Sequence, residues 1–182
     1  MKKIATALAL SVTATAAFAH TGTGVHTHGF LSGFLHPLTG LDHLLAMLAV
    51  GAWSVRQQGA RWLPLAFVGM LLVGVATGAA GLVVPGLETG IALTVALMGV
   101  LLAVAARLPA APDVAMVGAF ALLHGNAHGH ELPHMASAIG LLLSSSLLVY
   151  GGSVLGRVSP ALAVKAAGAV IAVTGVMLAA TA

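Results

Sequence analysis

The sequence predicts an all-α membrane protein, a six-transmembrane-helix bundle following a cleaved N-terminal signal peptide. Three observations carry this expectation. Of 182 residues, 59% are hydrophobic and only 6% charged, whereas soluble domains carry about 25% charged residues. The apolar residues gather in six runs close to the roughly 20 residues that cross about 30 Å of hydrocarbon. Short polar or Gly/Pro breaks separate the runs. Composition also excludes several classes. Cysteine is absent, so neither disulfides nor thiolate metal sites exist. The net charge of +3 comes from scattered Lys and Arg, not from a basic stripe, and argues against nucleic acid. No soluble segment is long enough for a nucleotide-binding domain and no phosphate-binding loop occurs, so no ATPase subunit is expected in this chain.

The elements follow in order. Met1-Lys2-Lys3 is a positive n-region, Ile4 to Ala16 an apolar run, and Ala17-Phe18-Ala19 an A-x-A cleavage pattern. Residues 1–19 therefore read as a signal peptide, and His20 as the mature N-terminus. The remaining residues, 20–182, form a single domain with spans expected at about 33–55, 62–84, 86–106, 113–128, 135–156 and 160–182. Arg56-Gln57-Gln58-Gly59, Pro85-Gly86, Arg107 to Pro112, His128 to Pro133 and Gly156 to Pro160 punctuate them. The fourth is the shortest, and its glycines predict a broken or strongly bent end. Small residues four apart (Gly29/Gly33, Gly74/Gly78, Gly86/Gly90, Gly125/Gly129, Gly152/Gly156) suit close helix packing in lipid.

Orientation has two independent signals. A signal peptide puts the mature N-terminus outside. Loops 1, 3 and 5 then face the cytoplasm, and these hold Arg56, Arg61, Arg107 and Arg157, with Lys165 placed to snorkel on the same side. Loops 2 and 4 contain neither Lys nor Arg, as the positive-inside rule demands. The expected location is the cytoplasmic (inner) membrane, multi-pass, with both mature termini periplasmic.

The polar chemistry is concentrated. Five of nine histidines lie between His20 and His43, and four between His124 and His134. In the expected topology both groups fall on the outer half of the membrane. In the first, His36 and His43 are two turns apart on one face if the segment is a single helix, Pro37 lies near its start, and His43 and Met47 are an i, i+4 pair. An ionised Asp42 at membrane depth costs about 2.5–3.5 kcal/mol, so it needs a partner. In the second, His124 and His128 are i, i+4, the spacing at which two imidazoles reach one metal from a helix, and Glu131 adds a charge to neutralise a dication. Glu88, His130 and His134 are candidate entry or supporting groups by placement. Asp113, near Arg107, reads as a helix-capping acid. Met47, Met70, Met98 and Met116 read as packing residues. Imidazoles with carboxylates suit a borderline divalent ion such as nickel, cobalt, zinc or iron. Cleavage would also expose the α-amine of His20 beside its imidazole, and with His26 and His28 this forms a candidate capture arm.

These motifs resemble the HupE/UreJ family of nickel and cobalt permeases. The family's first signature, His, five residues, then Asp-His, matches His36, Asp42 and His43. Its second, Phe-His-Gly-x-Ala/Val-His-Gly-x-Glu, matches Leu123-His124-Gly125-Asn126-Ala127-His128-Gly129-His130-Glu131, with Leu123 in place of Phe. The resemblance implies secondary uptake of Ni2+ or Co2+ as transported ion, with no prosthetic group, and metal contacts at His36, Asp42, His43, His124, His128 and Glu131. The expected partners are the divalent ion, the lipid bilayer and, as an option, further copies of the chain. The rival readings are an intramembrane zinc hydrolase and a metal sensor or storage protein that does not transport.

Overall fold

The computed structural model describes residues 29–58, 62–132 and 134–182. The expected signal peptide, His20, His26, His28 and Arg61 lie outside the described residues. Among the described residues there are seven helices: α1 (Phe30–Thr39), α2 (Leu41–Ser54), α3 (Leu63–Ala79), α4 (Leu87–Ala103), α5 (Ala110–Glu131), α6 (Met135–Val158) and α7 (Ala161–Ala179). By length and composition, α6 and α7 can each cross a membrane. The α1–α2 pair does so only if it counts as one span, and it is bent by 80°. Helices α3 and α4 are apolar but shorter, at 17 residues each, or about 25 Å at 1.5 Å per residue. The 22 residues of α5 include Asp113, Glu131 and three histidines.

The bend corrects the expectation of one helix over 33–55. Pro37 does not open the helix but stands inside α1. The Gly40 amide and the Thr39 hydroxyl both donate to the His36 carbonyl, closing α1, and Gly40 is extended before α2 starts at Leu41. His36 and His43 therefore sit on different helices. Glycine suits the corner sterically, because a Cβ at Gly40 would lie 3.1 Å from both Asp42 Oδ1 and His43 Nδ1.

The helices associate mainly in pairs: α3 with α5, α4 with α7, and α2 with α6, while α1 also lies on α6. Small residues set the pairing. A Cβ on Gly125 or Gly129 of α5 would overlap the α3 backbone at Leu71 and Val75, and one on Gly74 or Gly78 would overlap α5. Gly152 and Gly156 meet Leu48 and Ala52 of α2 in the same way. These close contacts explain why α5 runs unbroken through Gly125 and Gly129 to Glu131. The predicted break there is absent because the glycines serve approach and not unwinding. Two of the other glycine pairs behave differently: Gly86 is a left-handed turn residue ahead of α4, and Gly29 has open space around its α-carbon.

The pairing has an internal symmetry. Residue numbers rise together along α3–α5 and along α2–α6, so these pairs are parallel. They fall against one another along α4–α7, where Ala96 meets Gly175 and Gly99 meets Ala172. Exchanging α2, α3 and α4 with α5, α6 and α7 turns the α2–α6 pair into the α5–α3 pair. It also turns the Ala96–Gly175 contact into the Ala172–Gly99 contact. The two halves thus pack as inverted copies of one another, an arrangement shared by many transporters.

A buried core of Met47, Val50, Trp53, Phe67, Leu71, Val95, Met98, Val117, Ala121 and Val149 joins the pairs. Met47 and Met98 are core residues, and Met70 and Met116 pack against that core, as their reading as packing residues requires. Many large apolar side chains remain exposed on the outside, among them Met135, Tyr150, Leu155 and Leu162. Such continuous apolar exposure fits a lipid-facing surface and not a water-facing one.

Candidate metal centre

Four imidazoles meet where the start of α2 lies against the end of α5. The His43 ring centroid is 4.3 Å from that of His128 and 5.1 Å from that of His124. The His36 ring lies 4.8 Å from His128 and 6.1 Å from His43. Helix geometry supplies the α5 half, since His124 and His128 are one turn apart on a single face and Glu131 follows three residues later. The bend at Gly40 supplies the other half by folding α1 so that His36 reaches the rings that His43 reaches from α2.

The carboxylates stand behind and beside the rings. Asp42 Oδ1 accepts a hydrogen bond from His43 Nδ1 at 2.8 Å, and both side chains are nearly buried. This fixes the tautomer and leaves the His43 Nε2 lone pair free to bind a cation. Such carboxylate–histidine pairing is how proteins orient a metal-binding imidazole. Glu131 Oε2 lies 2.9 Å from His36 Nε2 and 3.9 Å from His128 Nδ1. The first is a hydrogen bond and the second is only a charge contact. His36 and Glu131 are each about one-third exposed while His128 is wholly buried, so the cluster runs from a wetted mouth inward.

The decisive chemical feature is what the buried rings lack. Among the described residues, His43 Nε2, both ring nitrogens of His124 and both of His128 are buried without a hydrogen-bond partner. An unsatisfied buried polar group costs about 1–3 kcal/mol, and native structures contain only a few per hundred residues. The five belong to three neutral rings and comprise three lone pairs, suited to a Lewis acid, and two N–H groups. His36, His128 and Glu131 each offer a ligand atom, all within 4.8 Å of one another. Metal–ligand bonds of about 2.0–2.1 Å hold neighbouring donors about 3–3.5 Å apart, so an ion shared by these three would need the widest pair to draw together by about 1 Å or more.

The other residues singled out in the sequence are placed differently. His130 Nε2 donates to the Leu82 carbonyl at 2.9 Å, which ties α5 to the α3–α4 connection. Glu88 is exposed in the first turn of α4, and His134 is exposed just before α6. Asp113 stands in the first turn of α5, where a helix-capping acid belongs, but it does not face solvent. It is buried, and its Oδ1 accepts from Trp53 Nε1 at 2.6 Å. Sequence reasoning missed two groups. Asn126 is buried and donates to Thr77 and to the Leu82 carbonyl, bracing the helix that carries His124 and His128. Trp53 is the partner of Asp113. Asn126 sits at the variable position of the motif, where nothing marked it. Leu123, the one departure from the motif, packs beside Gly90 of α4.

The fold and cluster together define an all-helical protein with helices fit to span a membrane and a polar site built into its bundle. Comparison identifies the group. The family described as HupE / UreJ protein matches residues 8–178, and the chain belongs to that family. It is also 46% identical over 118 residues to Protein HupE of Rhizobium leguminosarum bv. viciae, a stretch covering 64% of this chain and 62% of that protein. No solved structure matches the chain significantly.

Proposed function

We propose that this protein is a secondary permease that takes up a divalent transition metal, Ni2+ or Co2+, across the cytoplasmic membrane through the histidine–carboxylate cluster. The observation that carries the reading is the set of five buried, unpartnered imidazole nitrogens beside Asp42 and Glu131. Nitrogen and oxygen donors without thiolate suit borderline ions of the late first row, and the family resemblance narrows these to nickel and cobalt. The proposal includes six spans, with the first bent at Gly40, and both termini on the outer face, in keeping with the Lys and Arg distribution.

The cluster divides the work by depth. His36 and Glu131 at the mouth, with His128 behind them, receive the ion and replace part of its water shell. His43 and His124 then take it inward, with Asp42 holding the His43 ring in its metal-binding tautomer. Asp42 in this account is a positioning residue and not a ligand. An inside-negative potential favours inward movement of a dication by about 4.6 kcal/mol per 100 mV, twice the single-charge value.

The test is radiolabelled nickel and cobalt flux into proteoliposomes. Wild-type protein is expected to carry one or both ions down a gradient without ATP. Binding without flux would point instead to a sensor or store. Flux should also fall at acidic external pH, because imidazolium has no lone pair for a metal. Faster uptake at pH 5 than at pH 7 would contradict an imidazole-lined entrance. Asp42→Asn should weaken binding by about 10–100-fold, the usual cost of losing such a support. Calorimetric titration with nickel checks this, and an unchanged affinity would remove Asp42 from the site.

A further inference from the structure

We propose that Trp53 and Asp113 form the inner gate of this pathway, a reading that rests on the transport function above. The two residues join the same two helices that carry the histidines, but at the other end of the seam. His43 and Trp53 are ten residues apart on α2, about 15 Å along the axis, and Asp113 lies in the first turn of α5 while His124 and His128 lie near its end. Inversion of the two halves exchanges these ends. The pair therefore occupies the inner position that corresponds to the outer cluster.

Both ends hold buried side chains, His43, His124 and His128 at one and Trp53 and Asp113 at the other, and they differ in what lies over them. At the histidine end, His36 and Glu131 are each about one-third exposed. At the other end, Trp53 and Asp113 have 1% and 0% exposure, and further bonds close over them. Gln57 donates to the Ala106 carbonyl and accepts from the Leu108 amide. Arg56 donates to the Gly156 carbonyl, and Arg107 to that of Arg56. The indole–carboxylate bond is the innermost of this series and the only one of them made between side chains. Asp113 Oδ2 is buried without a hydrogen-bond partner, so opening this end hydrates a carboxylate and offsets the lost indole bond. The structure is the outward-open member of a pair of states, and its counterpart opens between α2 and α5 at Trp53.

The absence of cysteine allows a clean test. Val117 is buried one turn beyond Asp113, so Val117→Cys places a single thiol behind the gate. Maleimide labelling of this full-length protein in proteoliposomes should be slow, and nickel should accelerate it several-fold. Adding Trp53→Phe, which removes the indole N–H, should give fast labelling without nickel, while calorimetric nickel affinity at the histidines stays within about twofold. Asp113→Asn keeps an oxygen acceptor for the indole and should label slowly, like the Val117→Cys parent. Equal labelling with and without Trp53→Phe overturns the proposal, as does fast labelling of Asp113→Asn. A second measurement leaves the pair intact. In Trp62→Phe protein, Trp53 is the single tryptophan, and its quenching by acrylamide should rise on adding nickel; unchanged quenching overturns the gate. Absence of nickel binding and flux in the parent would instead defeat the transport reading itself, so the two failures are distinguishable.

Discussion

Replacing His128 with leucine should abolish metal uptake, with a loss greater than 100-fold at limiting nickel, yet leave the metal-free protein at least as stable as the parent. The two effects have one cause. His128 is wholly buried, in ring contact with both His36 and His43, and neither of its nitrogens has a hydrogen-bond partner. It contributes one ring donor at the centre of the cluster, and a direct ligand is worth more than the 10–100-fold typical of supporting residues. In the absence of metal the same two nitrogens are a burden of about 1–3 kcal/mol each, and leucine of similar volume removes it. A thermal melt with and without nickel checks both halves. Wild type should gain stability from the ion by mass action, and His128→Leu should start higher and gain none. A variant that melts lower and still responds to nickel would make His128 a packing residue.

Gly125→Ala should be strongly destabilising, although it adds only one methyl group. Its Cβ would overlap the Leu71 carbonyl and crowd Val75 and Gly74 of α3. Because these are backbone atoms, no rotamer change relieves them, and the cost should exceed the about 1–3 kcal/mol of ordinary overpacking. The control is Gly151→Ala on α6, where nothing lies within 4 Å and alanine should be neutral or stabilising by its helix propensity. Melting in detergent and the fraction recovered as monodisperse protein measure both. Metal uptake should fail with Gly125→Ala as well, since α5 carries His124 and His128 and cannot keep its register against α3.

Much of this organisation was legible in the sequence, and the failures share a pattern. Helix positions from α3 onward follow from apolar runs and their Pro/Gly punctuation, because in lipid the backbone must bond to itself. The two histidine groups were legible as partners because they carry rare polar residues at matching depth. The bend at Gly40 was not, since Pro37 and Gly40 are each compatible with a continuous membrane helix and only the approach of α1 to α6 decides between them. Glycine was misread in α5 for a related reason. A Gly-x-x-x-Gly run looks the same whether it breaks a helix or lets a neighbour come close, and the difference is visible only once Gly74 and Gly78 stand opposite. The burial of Asp113 was not legible, because its partner is 60 positions away, in a tryptophan that resembles any other core residue until the helices are paired.

The corner at Gly40 also has a mechanical consequence. In a continuous helix, His36 and His43 would keep a fixed separation, and changing it would mean unwinding a turn. Here the chain turns through 80° between them, and His36 stands four residues from the pivot, a lever arm of about 6 Å. A swing of only about 10° would carry its imidazole roughly 1 Å, half the length of a metal–nitrogen bond of about 2 Å. Grip on the cargo can therefore be tightened or relaxed by pivoting one short rod, with the ladders of both rods left whole.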